Sequence, residues 1–172
     1  MKRFFCFLLS ILVVFYGANA GCCKDYSPEE ITACFVRAGS YYNVPPVVLW
    51  SIACVESGFN PRAVNHNGKS RDVGMMQINS RWFPVLRHYG ITEEDLYDPC
   101  LNIFVGAWIL SQCYVRYQTL HDAISCYHTG RKYSESPEGA EYTWKVWRVI
   151  HRVLDEKKSV NFCDFRRCCL KY

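Results

Sequence analysis

The sequence is short of the residues that punctuate a chain, and short of charge. Ten glycines and seven prolines in 172 residues, with no self-similarity at a fixed period, exclude a collagen, a repeat array and a low-complexity scaffold. Charged residues are only 21% against 50% hydrophobic, which excludes an intrinsically disordered chain. The formal net charge of +4 is too mild to imply nucleic acid as a partner. No two cysteines stand in a Cys-x-x-Cys pair. Cys22-Cys23 and Cys168-Cys169 are adjacent, which is poor spacing for tetrahedral ligands, so no metal and no other cofactor is expected. After the first twenty residues no stretch is long and apolar enough to cross a bilayer, so stable membrane insertion is not expected either.

What is plentiful is cysteine: eleven of them, a density that points to an oxidising compartment. The N-terminus agrees. Lys2 and Arg3 precede an apolar run from Phe4 to Tyr16, and Ala18-Asn19-Ala20 fits the small-residue cleavage pattern of a secretory leader, residues 1–20. A retained anchor and a lipoprotein signal using Cys22 are the rival readings. The run is well short of the ~20 residues a membrane span needs, and Asn19 stands where lipoprotein signals carry an aliphatic residue. Cleavage after Ala20 removes Lys2, Arg3 and Cys6. The charge falls to +2 and ten cysteines remain, an even number suited to as many as five disulfides.

The rest of the chain reads as one mainly α domain. Ser27-Pro28-Glu29-Glu30 is a capping box with Pro at the first helical position, opening a helix from Pro28 to about Arg37 that stops before Gly39. Val47 to Ser57, apolar all round and ended by Gly58, reads as a buried helix. Residues 60–72 are turn-rich and suit a small β-ribbon folding back at Asn67-Gly68. Short helices are expected at Pro84–Tyr89, after Thr92 and at Asp122–Tyr127, with long ones at Leu101–Tyr117 and Tyr142–Asp155. Trp108, Trp144 and Trp147 read as core. One or two of Trp82, Phe83, Tyr89, Tyr97 and Tyr133 suit the wall of a sugar groove.

Glu56 is the first residue that suggests chemistry. It ends an apolar helix, and a carboxyl delivered from such a helix loses hydration and holds its proton more tightly, as a general acid requires. The residues downstream of it are more specific. Glu56-Ser57-Gly58-Phe59-Asn60-Pro61 is followed by Ala63, Asn65 and Gly74-Met75-Met76-Gln77-Ile78-Asn79. Asp98-Pro99, Asn102-Ile103, Gly106, Ala123 and Tyr127-His128-Thr129-Gly130 come after. In this order and spacing, over about residues 34–155, the chain closely resembles the catalytic domain of the lysozyme-like lytic transglycosylases, enzymes that cut bacterial peptidoglycan.

The resemblance implies an α+β lysozyme-like fold: a compact helical domain with a small β-ribbon between the catalytic helix and the Gly74-to-Asn79 block. It divides the chain into the leader, a domain at 21–157 and a cysteine-rich tail at 158–172. It makes Glu56 the catalytic acid and base. Ser57 then shapes the site, Gly74, Met76, Gln77 and Asn79 belong to the block along the sugar groove, and the Tyr127 hydroxyl sits near the acid. His128 stands where the family has Asn and can still donate to a sugar, and Cys126 stands where it has Ala. The mechanism implied needs one carboxyl. Glu56 protonates the oxygen between N-acetylmuramic acid and N-acetylglucosamine, then accepts the proton of the muramyl C6 hydroxyl as that oxygen closes on C1 to give a 1,6-anhydro end.

Asp72 supplies a rival. The run from Asp72 to Trp82 also resembles animal-type lysozyme, where the matching carboxylate is the second group of a retaining hydrolase, and Asp72 at about 5–5.5 Å from Glu56 would permit hydrolysis. A third reading is a peptidoglycan-binding component without activity. Small exported members of the family pair a cysteine before the first core helix with one in the Asp-Pro-Cys segment, which implies a Cys34–Cys100 disulfide. Cys163, Cys168 and Cys169 are then left to tie back to Cys22 and Cys23. The same resemblance implies a monomer, periplasmic or secreted, that opens the wall locally for a secretion, conjugation or type IV pilus apparatus.

Overall fold

The computed structural model describes residues 26–156. The leader, the domain's outermost residues, the tail at 158–172 and the cross-links expected of Cys22, Cys23, Cys163, Cys168 and Cys169 lie outside the described residues. Helix α1 spans Pro28–Tyr42 and opens with the expected capping box: Ser27 Oγ accepts from Glu30 N (3.2 Å) while Glu30 Oε2 accepts from Ser27 N (2.9 Å). It does not stop near Arg37. Gly39 lies inside it, where a Cβ would meet Val44 O at 2.6 Å and Pro46 Cγ at 2.9 Å. That glycine permits the close approach of the next helix rather than ending its own. The stop is Asn43, in the left-handed region at φ 54°.

Helix α2, Pro46–Ser57, is buried from Val48 to Cys54 and closes on Gly58. A hairpin connects it to the sheet: β1 (Val64–Asn67) pairs antiparallel with β2 (Ser70–Val73), turning at Gly68-Lys69. The ribbon has a third strand that the periodicity does not show. Ile78–Asn79, β3, pairs with Val73 and Asp72, so the sheet takes in the end of the Gly74-to-Asn79 block. Two residues are too few to carry an alternation pattern.

Helix α3 spans Phe83–His88 and α4 spans Pro99–Tyr117, with Asp98 capping the latter by accepting from Leu101 N (2.7 Å). Helix α5, Leu120–Thr129, is capped by Thr119, and α6 runs from Pro137 to Glu156. It starts five residues before the expected Tyr142, with the Ser136 hydroxyl accepting from Gly139 N (3.0 Å). Helix α4 packs against α1 and α5, and α6 against α2 and α5, around one hydrophobic core. Trp108 is in that core, but Trp144 is 64% exposed. The core-facing positions of α6 are Tyr142, Val146, Val149 and Ile150, and Trp144 falls on the opposite side of the turn. Among the described residues no helix is long and apolar enough to cross a membrane.

Disulfides tie α4 at both ends. Cys34–Cys100 joins it to α1 (Cα–Cα 5.4 Å), and Cys113–Cys126 joins it to α5 (5.8 Å). Cys54 is disulfide-bonded as well.

One polar side chain fastens the sheet to the helices. Asn102, fully buried on α4, accepts from Met76 N (2.7 Å) and donates to Val73 O (3.0 Å) and Leu96 O (2.8 Å). Asn102→Ala strands three buried backbone groups and is expected to cost about 2–4 kcal/mol. Urea unfolding of the oxidised protein measures this, and a loss below about 1 kcal/mol would show that water replaces the amide.

Candidate active site

Glu56 sits in the last turn of α2, where the helix reaches the surface after two buried turns. It lines a cleft of about 400 Å³ with Val55 of α2, His128 of α5, and Glu138, Glu141, Tyr142 and Lys145 of α6. Removal from water raises its pKa from near 4.5 to about 7. The Tyr142 hydroxyl, donating to Glu56 Oε1 at 2.6 Å, opposes that rise, and the negative charge of Asp72 adds to it. The C-terminal end of a helix is also the negative end of its dipole, a poor place for a carboxylate. The carboxyl is therefore held with a proton near neutral pH and with a defined orientation.

Tyr142 makes the direct contact with the acid, although in the sequence it marks only the expected start of a helix. A signal exists. Tyr142 occupies a core-facing position of an amphipathic helix, and a tyrosine buried there needs a partner for its hydroxyl. The hydroxyl of Tyr127, by contrast, donates to Met76 O (2.7 Å), although Tyr127 is close enough to Glu56 and Asp72 for both charges to push its pKa up, after burial.

The other expected site residues mostly hold the Gly74-to-Asn79 block in place. Ser57 Oγ donates to Met75 O at 2.7 Å. Gln77 takes the left-handed conformation at φ 51°, and its Nε2 donates to Gly74 O (2.8 Å) and Ala63 O (3.2 Å) while its Oε1 accepts from Asn65 (2.7 Å). Met76 is fully buried against Gly106. Gly74 has φ 81°, and a Cβ there would lie 2.2 Å from Asn102 Nδ2 and 2.6 Å from Leu96 O. The Met76 and Gln77 side chains thus point into the protein.

Asp72, on β2, is gripped from both neighbouring strands. Asn79 Nδ2 donates to Oδ1 at 2.6 Å and Asn67 Nδ2 donates to Oδ2. Its charge is felt at Glu56, Tyr127 and His128, which places it on the same side of the molecule as the cleft. His128 lies with its ring flat on that of Tyr142, centroids 4.2 Å apart and planes within 4°. Of the aromatics considered for a groove wall, Trp82 packs edge-on against Trp108 at 5.1 Å and Phe83 is buried, while Tyr133 is 41% exposed. Among the described residues no group of three or more His, Cys, Asp or Glu side chains is placed to hold a metal ion.

The chain is similar to several known proteins. Protein IpgF of Shigella flexneri is 36% identical over 130 residues, which cover 74% of this chain and 86% of that protein. Invasion protein IagB of Salmonella typhi is 36% identical over 131 residues, 73% of this chain and 82% of the relative. A peptidoglycan-binding-like protein of Escherichia coli is 33% identical over 140 residues, 75% of this chain and 84% of its own length. The transglycosylase SLT domain matches residues 33–149, from the first core helix to well inside the last, and so takes in Glu56, the Gly74-to-Asn79 block, Tyr127 and Tyr142. By that match the chain belongs to the transglycosylase SLT domain family.

Proposed function

We propose that the protein is a peptidoglycan lytic transglycosylase with Glu56 as its acid and base. The observation that carries this reading is one carboxyl, desolvated to a pKa of about 7 and oriented by Tyr142, in an open cleft. A group of that pKa is near the optimum for giving and then taking a proton at neutral pH. Glu56 donates its proton to the oxygen linking N-acetylmuramic acid to N-acetylglucosamine, and the C1–O bond breaks. The carboxylate left behind accepts the proton of the muramyl C6 hydroxyl while that oxygen bonds to C1. The product is a 1,6-anhydromuramyl end, no water is consumed, and Glu56 returns to its starting state. Ser57, Gly74, Met76, Gln77, Asn79 and Tyr127 keep the block beside the acid in shape.

The reading extends to place. A leader cleaved after Ala20 delivers the chain to the periplasm or beyond, where peptidoglycan strands are its partner. The role proposed there is local opening of the wall for a secretion, conjugation or pilus apparatus. The name of the IagB relative, an invasion protein, is in keeping with that.

A second reading has a specific observation in its favour. Asp72 is held by two amide donors and its negative charge is felt at Glu56, which also suits the second carboxylate of a hydrolase. The products decide between them. Oxidised protein spanning residues 21–172 acting on purified peptidoglycan is expected to release muropeptides lighter by one water, with ends that resist borohydride. Reducible ends would establish hydrolysis. Glu56→Gln is expected to lose about 10²–10⁴-fold of the rate, and an unchanged rate would remove Glu56 from the mechanism.

The raised pKa has two consequences for pH dependence. Activity is expected to fall with rising pH through about 7, as Glu56 loses its proton. In Asp72→Asn that limb is expected at lower pH, because a charge that raises the Glu56 pKa is gone, with anhydro products retained; loss of all products would make Asp72 a participant. Stability obeys the same linkage. The folded protein binds the Glu56 proton more tightly than the unfolded chain, so stability falls as pH rises from about 4.5 to about 7. Glu56→Gln is expected to flatten that part of the stability profile and to be the more stable protein above pH 7, measured by thermal unfolding across the range.

A further inference from the structure

His128 is where the site departs from the family's block, and its surroundings suggest a role other than the sugar contact that an Asn would make. One face of its ring is covered by Tyr142, parallel at 4.2 Å. Its Nε2 lies 3.5 Å from Glu138 Oε1 at the cleft mouth, and its side chain is about one third exposed. The stacked Tyr142 is the residue that donates to Glu56. Two contacts therefore connect the imidazole to the acid in series.

We propose that His128 is a positioning residue for Glu56: its ring clamps Tyr142 so that the Tyr142 hydroxyl stays aimed at the carboxyl. A phenol ring that turns about χ1 carries its hydroxyl, at the far end of the ring, through several ångströms for a modest rotation. A flat neighbour removes that freedom at little entropic cost, because an imidazole also has only two χ angles. Stacked aromatic pairs contribute ~0.5–1.5 kcal/mol beyond the area they bury, enough to bias such a rotation.

The groups around His128 leave its ring suited to this work near neutral pH. From α6 it faces Glu138, Tyr142 and Lys145; from β2 the charge of Asp72 reaches it; Glu56 of α2 and Glu141 of α6 line the same cleft. Burial lowers its pKa, and Lys145 acts in the same direction, while Glu138 and Asp72 pull it back up. The net direction is downward, which favours the neutral ring against the phenol.

The inference rests on Glu56 being the acid, but its test needs no turnover. Protein labelled with carboxyl-¹³C glutamate is titrated by NMR, the Glu56 resonance being assigned by its absence in Glu56→Gln. Tyr142→Phe removes a donor that favours the charged carboxyl, so the Glu56 midpoint is expected to rise by about 0.5 pH units or more. His128→Ala is expected to shift it the same way, and the double variant no further than Tyr142→Phe alone. His128→Phe, which keeps a flat ring, is expected to keep the wild-type midpoint. Should His128→Ala fail to fold, His128→Asn takes its place in the cycle. An unmoved midpoint in His128→Ala overturns the proposal. So does a His128→Ala shift of the same size with and without the Tyr142 hydroxyl, or a His128→Phe shift as large as that of His128→Ala. Absence of anhydro products from a protein in which the cycle shows coupling would overturn the lyase reading and leave this one standing.

Discussion

The arrangement depends on keeping one carboxyl out of water without leaving it unpartnered. A carboxylate moved into an apolar setting takes up a proton, and a carboxyl with no partner turns to whatever it can reach. The protein meets both conditions with distant parts of the chain. Helix α2 supplies the apolar setting, because from Val48 to Cys54 it is buried on every side and Glu56 emerges only at its last turn. Helix α6 supplies the partner through Tyr142, 86 residues further along. Desolvation and hydrogen bonding act in opposite directions on the pKa, and the balance lies near 7, where one residue can serve as acid and then as base.

Around that pair, much of the polar structure serves the irregular segment between β2 and β3. A chain running from Gly74 to Gln77 beside a cleft leaves backbone groups without the partners a helix or sheet would give. Asn102 takes Met76 N, Ser57 takes Met75 O, Tyr127 takes Met76 O, and Gln77 folds back on Gly74 O. The blocks that mark the family are thus fastened to one another. Side chains of α2, α4 and α5 converge on these four residues of backbone, Ser57 and Tyr127 as donors and Asn102 as an acceptor. The disulfides at the two ends of α4 hold α1 and α5 to it, and α5 carries Tyr127 and His128.

Much of this was legible in the residues. The capping box, the apolar run ending at Glu56 and the hairpin, whose turn falls at Gly68-Lys69, one residue after the expected Asn67-Gly68, each act within a few positions, and local chemistry decides them. Gly39 misleads because a glycine that ends a helix and one that lets another helix approach are the same letter; only Val44 and Pro46 folding back against it distinguish them. Trp144 misleads because a large aromatic residue in an amphipathic helix suggests core, while its place around the helix axis is on the side away from it. The sheet's third strand, two residues long, carries no period at all.

The sequence by itself determined a mainly α domain, the apolar helix that ends at Glu56 and the Gly74-to-Asn79 block downstream of it, because those depend on residue type and on short-range order along the chain. The tertiary structure alone decided which tyrosine faces Glu56, that Met76 and Gln77 turn inward, that Asp72 is gripped by Asn67 and Asn79, and that His128 lies flat on Tyr142. These are contacts between elements. A helix can deliver a side chain to any neighbour it packs against, and its rotation about its own axis is set by the whole core at once.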